Sequence, residues 1–155
     1  MIGHNPTDRS KLGSKRHILT NKYGIPLSVI ITSANTHDVT TVAIDTVDSM
    51  VLKRSSSQLN DRKKQNLCLD KAYHSKEVEQ EIFNRGYIPH IRHRREEKLF
   101  HRTHPAARRW VVERTNSWHN RFRKLFTRYE KKDENYLGLV QLANSLIVYR
   151  RIILG

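Results

Sequence analysis

The spacing of apolar residues changes along the chain, and each change predicts an element. Residues 15–20 read as a short strand. Asn21-Lys22-Tyr23-Gly24 reads as a turn with glycine at its end. Residues 26–32, with Leu27, Val29, Ile30 and Ile31, read as a second strand, so the pair predicts a hairpin. From Val39, apolar residues fall at Ala43, Val47, Met50 and Val51, the period of a helix. Residues 67–69 form a short apolar run that ends at Asp70. Ser75 is a candidate N-cap for a helix to about Asn84, with Val78 and Ile82 inward and Glu77 in the first turn. Arg85-Gly86 closes that helix. Residues 87–91 read as a strand whose Pro89 favours an edge. A long helix is predicted over 106–128. A last helix over 136–153 is apolar on much of its surface and is expected to be largely buried. Polar stretches at 1–12, 33–38, 53–65 and 92–104 read as loops. There are no internal repeats, and the order of elements gives a mixed α/β layout.

The long helix has two unlike sides. At about 100° per residue, Val111, Trp118, Phe122 and Leu125 share a side that should pack on the sheet. Arg109, Glu113, Asn116, Ser117, Asn120, Arg123 and Lys124 share the other. Glu113 is the sole acid near the middle of that cationic and amide stripe. A solvated face with Glu113 paired to Arg109 or Arg114 would explain it blandly, since surface pairs are common and contribute little. A metal ligand among phosphate-gripping groups would explain it functionally. Asp70 has the same ambiguity. An Asp after a strand is often a turn former, yet the carboxyl end of a strand is where open α/β sheets place ligands.

Charge narrows the partner. The 155 residues carry 29 Lys and Arg against 15 Asp and Glu, a net charge of +14. That balance favours a polyanion, nucleic acid first. No stretch is apolar enough to span a bilayer and no signal-peptide core is present, so a membrane partner is not expected. Cys68 is the single cysteine, which excludes an intramolecular disulfide and a zinc cluster of cysteines. Its place between Leu67 and Leu69 predicts a buried small hydrophobe. These features fit a reducing cytoplasm.

Ordered sequence blocks carry more than composition. They are Asn5-Pro6-Thr7-Asp8-Arg9 through Lys11-Leu12-Gly13-Ser14-Lys15-Arg16-His17; Gly24-Ile25-Pro26-Leu27; Ala34-Asn35-Thr36-His37-Asp38; Leu69-Asp70-Lys71-Ala72-Tyr73; Arg109 to Arg114 with Asn120-Arg121-Phe122-Arg123-Lys124; and Arg128-Tyr129-Glu130-Lys131. In this order and spacing the chain resembles DDE-type bacterial insertion-sequence transposases of the IS-four and IS-five branch. The resemblance implies an RNase H-like sheet with flanking helices and three metal-binding carboxylates. Asp70 matches the second Asp, and Glu113 matches the terminal Glu within Arg-x-x-x-Glu. It implies two divalent metals, normally Mg²⁺, serving cleavage and strand transfer on DNA. The DNA contacts it implies fall on Lys15, Arg16, Arg109, Arg114, Asn120, Arg121, Arg123 and Lys124. The DNA would be insertion-sequence ends and target, held by a homo-oligomer in a synaptic complex.

Departures from the family pattern matter too. The family's first Asp lies on a central strand upstream of the Asn-Pro-Thr-Asp-Arg block. Asp8 belongs to the block and does not replace it. Asp38 starts a helix and reads as an N-cap. His74 stands where the family often has Asp, and Ala106 where a Tyr can precede Arg-x-x-x-Glu. The expectation is a single RNase H-like catalytic domain over 1–155, truncated at its N-terminus, lacking its central strand and impaired alone. Two alternatives stand beside it: a non-catalytic basic DNA-binding remnant and an RNase H-like nuclease. His90, His93, His101 and His104 share a basic region and read as solvated phosphate contacts rather than zinc ligands. Trp118 reads as core, and Trp110 as the better candidate for stacking on a base.

Overall fold

The computed structural model describes residues 2–5, 9–10, 12–36, 41–52, 64–91 and 110–155, apart from the Lys71 side chain. In chain order the elements are β1 (Gly3–His4), β2 (Leu12–Thr20), β3 (Pro26–Ser33), α1 (Thr41–Asp48), β4 (Gln65–Leu69), α2 (Lys76–Asn84), β5 (Tyr87–Ile91), α3 (Trp110–Asn120), α4 (Arg123–Phe126) and α5 (Asp133–Val148). The mixed α/β class expected from the sequence is what forms. The chain divides into two compact units. One holds Met1–His37, Thr46–Val51 and Arg109–Gly155, the other Asp38–Asp45 and Leu52–Arg108.

The first unit is built on an antiparallel sheet in the order β1-β2-β3. The predicted hairpin forms with Ser14 opposite Ser33 and Ile18 opposite Val29, and a bulge falls at Leu19/Thr20. Asn21 makes the turn. Its side-chain oxygen accepts from the backbone N–H of Tyr23 at 2.9 Å and of Ile25 at 3.0 Å. Gly24 takes φ +78°, a conformation other L-residues adopt at a cost. The sheet packs on helices through one buried cluster: Val29, Leu125, Tyr136, Val140 and Ala143, flanked by Ile18, Ile31 and Phe122.

The second unit contains a two-stranded parallel sheet, β4 beside β5, with Gln65 opposite Tyr87 and Leu69 opposite Ile91. Ser75 caps α2 as predicted, its hydroxyl accepting from Val78 N–H. Val78 and Ile82 are buried, as the helical spacing required. Here the parallel pair follows from the connection. A strand, a helix and a returning strand make a parallel crossover.

Four expectations change. The long helix breaks at Arg121-Phe122, and α4 restarts at Arg123 with Phe122 as its extended cap residue. The C-terminal helix buries one stripe, Tyr136, Val140, Ala143 and Ile147, while Leu142, Leu146, Tyr149 and Ile153 are exposed. One stripe of 100° or so is all that a single packing surface covers. Cys68 is exposed, because it alternates with the inward Leu67; partial desolvation still holds its thiol above the ordinary value. His90 is buried on β5 rather than solvated. The other three histidines of that group, with His37, Asp38 and Arg109, lie outside the described residues.

Candidate functional site

Glu113 sits in the first turn of α3. The buried positions of this helix are Val111, Thr115 and His119, spaced four apart, so they share one side. Glu113 and Asn120 fall on the opposite side, roughly 20° apart around the axis. Both are exposed. Trp118 lies on a flank and is half-buried rather than core.

Two of the three inward residues are polar, and each finds a partner. Thr115 is wholly buried, and its Oγ1 donates to the carbonyl of Gly24 at 2.6 Å. His119 is equally buried, and its Nε2 meets Asn144 Oδ1 at 2.6 Å. Since the amide oxygen accepts, Nε2 carries the proton. Burial lowers the pKa of His119; the Asn144 bond opposes that and the Arg16 charge adds to it. The imidazole is therefore a neutral structural strut.

The hairpin turn fastens to this helix at a second point. Arg114 Nη2 donates to the Tyr23 carbonyl. The Arg114 guanidinium lies 4.7 Å from the Trp110 ring centre and 5.2 Å from that of Trp118. A Cβ on Gly24 would come within 3.2 Å of both Arg114 and Thr115 side chains. Crowding thus adds to φ in favouring glycine here. Together these bonds hold the helix that carries Glu113 against the hairpin.

Of the DNA-contact residues, the structure joins Arg16 and Asn120, with Arg16 Nη2 at 3.4 Å from Asn120 Oδ1. Alternation along β2 sends Ser14, Arg16 and Ile18 toward the helices. Lys15 therefore points to the other sheet face, where its Nζ donates to Thr36 O at 2.9 Å. The two adjacent cations do not share a surface. Arg121, Arg123 and Lys124 are exposed at the break and on α4, whereas Arg114 is half-buried and turned to the hairpin. Among the described residues Glu113 has no ion-pair partner, so the bland pairing with Arg114 does not form.

Asp70 belongs to the second unit and is exposed at the carboxyl end of β4. Its Oδ1 accepts from Ala72 N–H at 3.3 Å, and its carbonyl accepts from Tyr73 N–H at 3.0 Å. This is the turn-forming role an Asp takes after a strand. Among the described residues no group of three or more His, Cys, Asp or Glu could hold a metal ion. The donor chemistry of Asp70 and Glu113 nonetheless fits a hard divalent cation, since both present exposed carboxylate oxygens. No helix among the described residues is long and apolar enough to cross a membrane.

Sequence reasoning missed Thr115, His119 and Arg128. Arg128 bonds Asp133 Oδ1 at 2.6 Å, Glu130 O at 2.9 Å and the Ser14 hydroxyl, and lies 4.8 Å from the Tyr136 ring centre. It ties β2 to the start of α5. The four-residue spacing of Val111, Thr115 and His119 was the one available signal, and polar side chains concealed it.

Comparison with known proteins completes the site. A family described as Transposase DDE domain matches residues 3–148. A putative transposase for insertion sequence element IS402 from Burkholderia cepacia is 34% identical over 150 residues, covering 97% of this chain and 69% of that protein. No solved structure matches significantly. Glu113 on its helix and Asp70 at its strand end are thus residues of a chain that belongs to the DDE-domain transposases of insertion sequences.

Proposed function

We propose that this chain serves DNA transposition with Asp70 and Glu113 as two of three carboxylates for divalent metal, Mg²⁺ by preference. The observation that carries the proposal is the face of α3. Glu113 stands exposed there, with no ion-pair partner among the described residues, two turns from Asn120 and the Arg16 guanidinium. Bound metal would supply charge stabilisation and activation of an oxygen nucleophile in phosphodiester cleavage and strand transfer. The chain's own contribution is placement. Thr115 and Arg114 lock α3 to the hairpin, so Glu113 is presented from a fixed element. Arg16, Arg121, Arg123 and Lys124, with Arg109, would neutralise phosphates and Asn120 would help orient them, giving salt-dependent and largely sequence-independent affinity.

We further propose an RNase H-like strand order in which the family's first strand separates the hairpin from β4. The support is that, among the described residues, β2–β3 and β4–β5 share no ladder. A first-strand Asp, the third carboxylate, is not among the matched blocks. These 155 residues alone are therefore expected to bind DNA and to cut it poorly. Insertion-sequence ends and target DNA would be held by more than one copy, within the bacterial nucleoid.

The turn geometry of Asp70 favours a second reading, a basic DNA-binding module without catalysis. One experiment separates them. Mg²⁺-dependent cleavage and strand transfer on a terminal-repeat duplex is measured for this chain and for a longer chain carrying a first-strand Asp. Cleavage by the longer chain that is lost in Asp70→Asn or Glu113→Gln supports the metal site. Salt-sensitive binding indifferent to both substitutions, with no cleavage, supports the module. Nicking without joining would identify a nuclease.

A further inference from the structure

A second surface flanks the Glu113 face. Arg114 and Arg151 converge on one indole, with guanidinium carbons 5.2 Å and 4.6 Å from the Trp118 ring centre. They line an open cavity of about 360 Å³ with Asn21, Tyr23, Trp118 and the buried Ile25. Tyr23 is 60% exposed at its mouth, with Lys22 Nζ 4.9 Å from its ring centre. Around α3, Arg114 and Trp118 lie roughly 100–140° from Glu113, so this is a separate face.

Two guanidiniums beside one ring repel each other unless an anion joins them. Among the described residues neither has a carboxylate partner. Arg114 Nε is buried without a hydrogen bond and Nη2 is engaged by the Tyr23 carbonyl, so the exposed Arg151 is the cation more open to an anion. The aromatic wall adds a second requirement. A free inorganic anion makes no use of Tyr23 and Trp118, and duplex DNA offers phosphates but keeps its bases stacked inside. An unpaired nucleotide offers both, a phosphate for the arginines and a π-face for the ring and guanidinium planes. The cavity falls in the range of small-ligand sites, roughly 300–1,000 Å³.

We propose that the cavity bounded by Tyr23, Arg114, Trp118 and Arg151 binds an unpaired nucleotide of a DNA strand. The inference rests on the reading of this chain as DNA-acting and adds a preference for unpaired over fully duplex DNA. Asn21 and Tyr23 in its lining place the site beside the hairpin turn, so a strand end leaving a duplex would be held next to the basic helix.

The chain has two tryptophans, so Trp110→Phe leaves Trp118 as the only indole reporter. In that variant, an oligothymidylate and a duplex with an unpaired thymidine tail should quench Trp118 emission, and a blunt duplex of equal length should not. Tyr23→Ala and Arg151→Gln, with circular dichroism unchanged, should each weaken tailed-duplex binding on the order of tenfold and leave blunt-duplex binding within about threefold. Equal quenching by blunt and tailed DNA, or tail affinity unchanged in both variants, overturns the nucleotide site while leaving the DNA-acting reading intact. Failure to bind any DNA overturns both.

Discussion

The two units solve the same problem, holding one acidic residue at the surface, in different ways. In the first, Glu113 rides on a helix bonded to a hairpin through Thr115 and Arg114, and the hairpin packs on a core with Val140 at its centre. In the second, Asp70 ends a strand that has a single parallel neighbour among the described residues. Among the described residues only one side of β4 is laddered, and its alternate residues Asn66 and Cys68 are exposed. Parallel sheets are ordinarily buried on both faces, and two strands rarely stand alone. Glu113 is therefore positioned by long-range bonds, whereas Asp70 is positioned by its own turn.

The largest test of this contrast is Ile82→Ala. Ile82 is 1% exposed beneath α2, and emptying such a site costs about 2–5 kcal/mol. Urea unfolding followed by amide exchange should show protection lost in β4, α2 and β5. Equal loss across β2–β3 would show that the division into units is not energetic.

Gly24→Ala attacks the anchor of the other unit. It forces a side chain into φ +78° and against Arg114 and Thr115, costing about 1–3 kcal/mol. The melting temperature should fall, and protection of α3 should fall with that of the turn. An unchanged α3 would mean that the turn does not hold the Glu113 helix.

Acidification probes the strut behind Glu113. The folded pKa of His119 lies below that of the unfolded chain, so the unfolded state takes up the proton first. Stability from His119 is complete above the ordinary histidine value and is lost as pH falls through it toward the depressed folded value. The unfolding free energy should decline by on the order of 1 kcal/mol between neutral pH and pH 5. His119→Gln should flatten that slope in urea titrations; an identical slope in the variant would assign the decline elsewhere.

The smallest effect is expected at the two acids. Both are exposed, so Asp70→Asn and Glu113→Gln should each alter stability by no more than about 0.5 kcal/mol. Chemical denaturation checks this directly. A much larger loss at Asp70 would mean that its turn, rather than any ligand, is what selects the carboxylate.

Local chemistry made much of the fold legible. Asn21 and Gly24 announced the turn, Ser75 the helix cap, and Val78 with Ile82 the buried side of α2, because each acts through neighbours within four residues. The helix break at Arg121-Phe122 was not legible, since both residues are compatible with a helix and the chain breaks so that Phe122 and Leu125 can reach the core around Tyr136. Nor was the inward stripe of α3 legible. Thr115 and His119 read as surface residues until Gly24 and Asn144 supply their hydrogen bonds from 91 and 25 residues away. Arg128 was read as part of a basic block and is a structural junction.

By itself the sequence determined the family, the order of elements and the strongly basic composition, because block order and residue type survive without knowledge of contacts. Tertiary structure alone decided which cations share a face, with strand alternation separating Lys15 from Arg16 and a helix break redirecting Arg123 and Lys124. It also decided that Arg114 serves the hairpin and that Glu113 has no ion-pair partner among the described residues. Those outcomes depend on which distant groups meet, and a polar side chain takes its role from the partner it finds.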